Sequence, residues 1–207
     1  MKALKVLTLF SGTGSVSRAL ELFPNAEEVT LDWKEDADIM EDILEWDYTV
    51  FKPGSFDVIW GSPDCVQYSR ARVAAKTPRD LEWADSLVIR LMEIIDYLQP
   101  TVYFIENPST GLLPKRHFML LRPFTEVHYC QYGSLIRKST AIWSNIKLDL
   151  LRCEAGNRCA LFINGRHCFH LEDTPSGRGR GAIPVSLLES IFQQALVVID
   201  NSNHVNK

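Results

Sequence analysis

Short apolar runs alternate with amphipathic helical stretches along this chain, and that alternation constrains its fold more than any other feature. KVLTLF is β-rich and opens into SGTGSVSRALELF, a glycine turn followed by helical spacing. EEVTLDW reads as a second strand ending in Asp32, and FDVIW as a third. LEWADSLVIRLMEIIDYLQ has strong helical periodicity and is stopped by Pro100. TVYFIEN predicts a fourth strand, followed by a proline-interrupted helix from about Ser109 to Leu121. FTEVHYCQYG and STAIWSNI predict two antiparallel neighbours, with Cys130 mid-strand in the core. IPVSLLESIFQQALVVID predicts a final amphipathic helix with Pro184 in its first turn. Such alternation implies an α/β fold whose mostly parallel sheet is covered on both faces.

The expected organisation is a core over residues 1–147, an insert over 148–181, a helix over 182–200 that returns to the core, and a tail over 201–207. The insert is rich in Cys, Gly, Arg and His and lacks the apolar periodicity found elsewhere. At 207 residues the chain is long enough for one domain with a sizeable core. No apolar run approaches transmembrane length, and Met1 to Phe10 lacks the pattern of a signal peptide. Five scattered cysteines fit reduced thiols in an intracellular protein, cytoplasmic or nucleoid-associated.

Net charge is -4, but its distribution is uneven. Residues 27–47 hold ten acids against one Lys, leaving 16 acids and 21 bases elsewhere. Arg70, Arg72, Lys76 and Arg79 cluster beyond one cysteine loop, and Arg137 and Lys138 form a second group. Segregation of this kind can present a basic face to phosphates or simply a solvated surface.

Four segments carry candidate chemistry. FSGTGSVS is a glycine-rich turn leaving the first strand, where backbone can approach a ligand closely. It lacks the lysine of a triphosphate-binding loop. Asp32 ends the second strand, where an acid can accept hydrogen bonds from ribose hydroxyls, and Trp33 offers a stacking face. Asp42 and Ile43 precede an apolar patch suited to an adenine edge. GSPDCVQYS holds Cys65 on a turn at the carboxyl end of the third strand, stiffened by Pro63. IENP places Glu106 and Asn107 at the end of the fourth. A thiol beside a carboxyl group that can carry a proton suits covalent attack on an electron-poor ring.

FSGTGSVS, LDW, DI, GSPDCVQYS, FIENPSTG, YCQYGSLIRKSTAIWSN and AIPVSLL occur in that order. Together they resemble the cytosine-5 DNA methyltransferases, in particular the compact phage and viral forms, over roughly residues 4–195. The resemblance implies a Rossmann-like S-adenosylmethionine-dependent methyltransferase fold with DNA as partner. It implies that Phe10, Gly12, Gly14, Ser15, Asp32, Trp33, Asp42, Ile43 and Pro63 hold the cofactor. It makes Cys65 the nucleophile toward cytosine C6 and Glu106 the residue holding N3 and the exocyclic amine. Ser69, Arg70, Arg72, Asn107, Lys138 and Thr140 then fall near the target base or the DNA, and the base must leave the duplex to be reached.

The chain departs from the family pattern at three places. Asp64 stands where the family has proline, which frees the loop and puts negative charge beside the thiol. Val66 replaces a glutamine common in the larger enzymes. The segment 148–181 is far shorter than the usual target-recognition domain, which implies a partner subunit, a homo-oligomer or low sequence specificity. The alternatives are a catalytically impaired cofactor- or DNA-binding subunit, and methylation of another cytosine-containing substrate such as RNA or a nucleotide. Cys153, Cys159, Cys168 and His170 read either as a tetrahedral structural zinc site or as unligated thiols, with His167 close by in sequence.

Overall fold

The computed structural model describes residues 3–34, 36–70, 72, 75–169 and 181–205. Its regular elements are β1 (Leu4–Leu9), α1 (Ser15–Leu20), β2 (Ala26–Asp32), β3 (Ile39–Met40), β4 (Val58–Gly61), α2 (Leu81–Leu98), β5 (Val102–Pro108), β6 (Phe124–His128), β7 (Ser139–Ser144), β8 (Phe162–Ile163), β9 (Arg166–His167) and α3 (Val185–Val205). The first seven strands form one sheet in the order β3-β2-β1-β4-β5-β7-β6. Strands β1 to β5 pair in parallel, while β7 runs antiparallel to both β5 and β6. The expected mixed α/β fold with a mostly parallel sheet is the observed one.

Alternation along the central strands divides the core into two layers. Val58 and Trp60 of β4, with Val102 and Phe104 of β5, pack against α1 and α3. Ile59 and Ile105 face the other way, against Leu87, Val88, Leu91 and Ile94 of α2. Trp60, Phe104 and Phe192 of α3 meet with ring centroids 5.5 to 6.5 Å apart, filling the first layer. Helix α2 begins where the Asp80 carboxylate accepts the Trp83 N–H at 2.9 Å. It ends at left-handed Gln99, just before Pro100.

Three elements differ from their sequence pattern. The helix expected over Ser109–Leu121 reduces to a 3₁₀ turn at Leu113–Lys115. Its backbone instead joins the cysteine loop, with Leu112 N–H donating to the Tyr68 carbonyl at 3.0 Å. Strand β6 stops at His128, and Tyr129–Tyr132 forms a 3₁₀ turn closed by left-handed Gly133, so Cys130 is not in a strand. Pro184 immediately precedes α3, and its carbonyl accepts from Leu187 and Leu188.

The polypeptide leaves β1 on one side of the sheet's switch point and β4 on the other. Loops at the carboxyl ends of such strands open a crevice between them. Gly61 is what lets β4 reach that crevice over α2. A Cβ there would lie 2.5 and 2.7 Å from the Cδ atoms of fully buried Leu91. Gly61→Ala should therefore destabilise the fold by about 1–3 kcal/mol through overpacking. In urea unfolding this should appear as a lower midpoint with an unchanged slope; an unchanged midpoint would mean that Leu91 yields freely.

Candidate active site

A cavity of about 710 Å³ occupies the crevice. It runs from the loop after β1, past the ends of β2 and β4, to Cys65, Glu106 and Lys138. The floor of the first end is a loop in which Phe10, Gly12 and Gly14 all adopt positive φ (60°, 44° and 67°). Glycine takes this conformation without strain, whereas Phe10 is held there against its preference. Asp32 fixes the loop: its Oδ2 accepts the Gly12 N–H at 2.9 Å and its Oδ1 the Lys34 N–H at 3.2 Å. A carboxylate accepts about four hydrogen bonds, so Asp32 keeps lone pairs for a ligand.

Around this floor, Trp33 stands 77% exposed at the cavity wall and Ile43 is buried beside it. Asp42 lines the same wall, with Oδ1 accepting the Leu44 N–H at 2.9 Å. Ser15 also lines the cavity, but its hydroxyl is saturated. It accepts from Ile183 N at 3.1 Å and Arg18 Nη2 at 3.2 Å, and shares a proton with Thr13 Oγ1 at 2.7 Å. Ser15 thus ties the loop to the segment before α3.

At the other end the Cys65 loop is clamped from three sides. Asn107 is fully buried and its Nδ2 donates to the Pro63 carbonyl at 2.9 Å. Tyr68 is fully buried and donates to Asp85 Oδ1 at 2.8 Å, and Arg116 forks onto the same carboxylate. A bidentate guanidinium–carboxylate pair fixes direction as well as distance. Asp64 adds a local turn, its Oδ1 accepting the Val66 N–H at 2.8 Å. The loosening expected from loss of the family proline is thereby offset by an Asx turn.

Glu106 is buried two residues before the end of β5, with Oε1 3.0 Å from the Tyr129 hydroxyl that donates to it and 3.5 Å from Lys138 Nζ. Lys138 Nζ also lies 4.9 Å over the Tyr129 ring. Burial pushes the Cys65 thiol above its ordinary pKa; the Lys138 cation pulls it down, and the Glu106 and Asp64 carboxylates push it up.

The other sequence candidates are placed differently. Thr140 is fully buried in β7, opposite Pro108, and does not line the cavity. Arg72 lies outside the cavity lining, and its Nη2 donates to Thr77 Oγ1 and to the Pro78 carbonyl, at 2.8 and 2.9 Å. Arg70 is exposed and Ser69 half-buried, and both stand outside the cavity lining. Tyr129, Tyr68, Asp85 and Arg116 were not legible as site residues. The nearest sequence signal for Tyr129 is its pairing position, with its N–H donating to the Lys138 carbonyl.

Away from the cavity, Cys130, Cys153, Cys159 and His167 converge, their ligand atoms all within 4.8 Å of one another. This corrects the set Cys153, Cys159, Cys168 and His170. Cys168 is exposed and outside the cluster, and His170 lies outside the described residues. Cys130, expected only as core, takes the third thiol position.

No family model matches the chain. A curated relative, "Probable DNA (cytosine-5)-methyltransferase" of Frog virus 3 (isolate Goorha), is 36% identical over 190 residues, covering 86% of this chain and 84% of its own. Among solved structures, the methyltransferase EhMeth of Entamoeba histolytica superposes with a TM-score of 0.53 at 15% identity, over 72% of this chain and 57% of its own. An E. coli prophage protein assigned to the DNA modification methyltransferases gives 0.50 at 17%, over 76% and 51%. The chain thus spans little more than half the length of these two structures, and they speak to the fold alone. The viral relative carries the assignment further: the chain belongs to the DNA cytosine-5 methyltransferase family.

Proposed function

We propose that the protein transfers a methyl group from S-adenosylmethionine to C5 of cytosine in DNA, with Cys65 as nucleophile. One observation carries this reading: a single cavity holds the glycine loop and Asp32 at one end and Cys65, Glu106 and Lys138 at the other. Its volume of about 710 Å³ lies within the usual range for small-molecule sites.

The residues present fit the cofactor. Asp32 has lone pairs free for ribose hydroxyls, Trp33 and Ile43 offer apolar faces, and Asp42 has a second carboxylate oxygen beside them. Phe10 and Gly12 bring backbone to the cavity floor, and Gly14 turns the chain into α1 just behind it. When bound, S-adenosylmethionine supplies an electrophilic methyl group.

The chain's own residues would activate the base. Cys65 Sγ, as thiolate, adds to C6 of a cytosine taken out of the stack, and the C5–C6 electron pair moves toward C5. Glu106 holds N3 and the exocyclic amine, while Tyr129 and Lys138 fix its carboxyl group in place. Loss of the C5 proton with expulsion of the thiolate restores the ring. Asn107 and the Tyr68–Asp85–Arg116 network act as positioning groups for the thiol loop. With so short an insert, recognition beyond the target base falls to a partner subunit or second copy, or is weak.

Incubation with methyl-labelled S-adenosylmethionine and separate DNA, RNA and nucleotide substrates, followed by nucleoside analysis, tests the reading. Label in 5-methylcytosine from DNA is expected. Label only in RNA or a nucleotide would reassign the substrate, and cofactor binding without transfer would make the chain a non-catalytic relative.

The raised thiol also predicts a pH dependence. Below the Cys65 pKa the thiol is protonated and unreactive, so transfer should accelerate as pH rises through the neutral range. Asp64→Asn keeps an oxygen to accept the Val66 N–H but removes a negative charge beside the sulfur. Its rate profile should shift to lower pH; a shift to higher pH, or none, would contradict this electrostatic account.

A further inference from the structure

We propose that Cys130, Cys153, Cys159 and His167 bind one zinc ion, which ties the short insert to the strand end that carries Tyr129. The ligands come from three separate segments: the 3₁₀ turn after β6, the loop containing Cys153 and Cys159, and β9. The Sγ atoms of Cys130, Cys153 and Cys159 lie 3.5, 3.4 and 3.4 Å from His167 Nε2. A tetrahedral zinc about 2.3 Å from sulfur and about 2.0 Å from nitrogen requires S···N edges of about 3.5 Å. The three S···N edges of the cluster match that tetrahedron, and all four ligand atoms lie within 4.8 Å of one another.

Hydrogen bonding to the imidazole does not account for three thiols around one nitrogen. One imidazole nitrogen offers either one lone pair or one proton, so Nε2 can satisfy one thiol and not three. Nor does hydrophobic packing. Across residues 149–169 Cys153 and His167 are the only buried residues, and both belong to the cluster. Phe162 is only half-buried, while Ile163 and Phe169 are exposed, so this stretch has no apolar core. Two-residue strands joined by a turn through left-handed Asn164 and Gly165 are too short to stand alone. Small segments of this kind are ordinarily held by metal or disulfide, and the described cysteines are all free.

Three thiolates and one imidazole select zinc by softness and geometry, and binding releases the thiol protons. With four protein ligands no position is left open for substrate, so the ion is structural. Its reach is nevertheless toward the active site, because Cys130 directly follows the tyrosine that donates to Glu106. Zinc bound there would brace the Tyr129 turn whether or not methyl transfer occurs.

Metal analysis of the full chain, purified without chelator, should find about one zinc per molecule. Cobalt(II) added to chelator-stripped protein should give the intense thiolate-to-metal charge-transfer bands of a tetrahedral thiolate site. Cys130→Ala and Cys159→Ala should each lower zinc content, whereas Cys168→Ala should leave it at the parental level. A folded parent with neither zinc nor cobalt bands overturns the site. Zinc retained in Cys130→Ala and Cys159→Ala but lost in Cys168→Ala overturns this ligand set. Neither result depends on methyl transfer, so a failure here is distinguishable from failure of the catalytic reading.

Discussion

Parallel pairing of β2, β1, β4 and β5 is the constraint on which the site depends. Strands hydrogen-bonded in parallel all deliver their carboxyl ends to one edge of the sheet. Asp32, the glycine loop, Cys65 and Glu106 sit at the carboxyl ends of four different strands, yet they meet around one cavity for this reason. The two-layer core keeps the strands in register, and Gly61 lets β4 pass over Leu91 on its way to that edge. A fault in this pairing would separate the two ends of the cavity before it altered any one side chain.

The antiparallel pair β6–β7 adds what the parallel strands cannot. Because β7 runs back along β5, Ile142 lies opposite Glu106, and the residues before β7 reach the cavity from above. Lys138 and Tyr129 meet there through a backbone hydrogen bond and close over the Glu106 carboxyl. Buried charge is costly unless partnered, and this arrangement supplies a hydroxyl donor and a cation. On the thiol side the same principle operates at Asp85, whose carboxylate is shared by Tyr68 and Arg116. Both clusters hold the ends of loops that would otherwise have few contacts.

The strands and long helices were legible because each carries its own periodicity, and the placement of Cys65 and Glu106 followed from strand ends. What escaped was set by tertiary contact. Ile39–Met40 is too short to show a pattern, and the segment after Ser109 forgoes helix because its backbone bonds to the Tyr68 loop. The bond from Ile183 N to the Ser15 hydroxyl, across 168 positions, likewise has no sequence signal. In the Cys/His cluster, spacing alone cannot distinguish His167 from Cys168. The hairpin through Asn164 and Gly165 decides, since successive strand residues face opposite sides and His167 turns inward. Asp64 was legible as a charge beside the thiol, but not as a turn-former.

The central claim is that the thiol on this clamped loop forms a bond to cytosine. DNA containing 5-fluorocytosine tests it most directly, because fluorine at C5 cannot leave as a proton does and the covalent intermediate is trapped. Mass spectrometry of the digested adduct should place the base on the peptide containing Cys65, and Cys65→Ser should give no adduct while still binding S-adenosylmethionine. An adduct on another residue, or one that survives Cys65→Ser, would contradict the account.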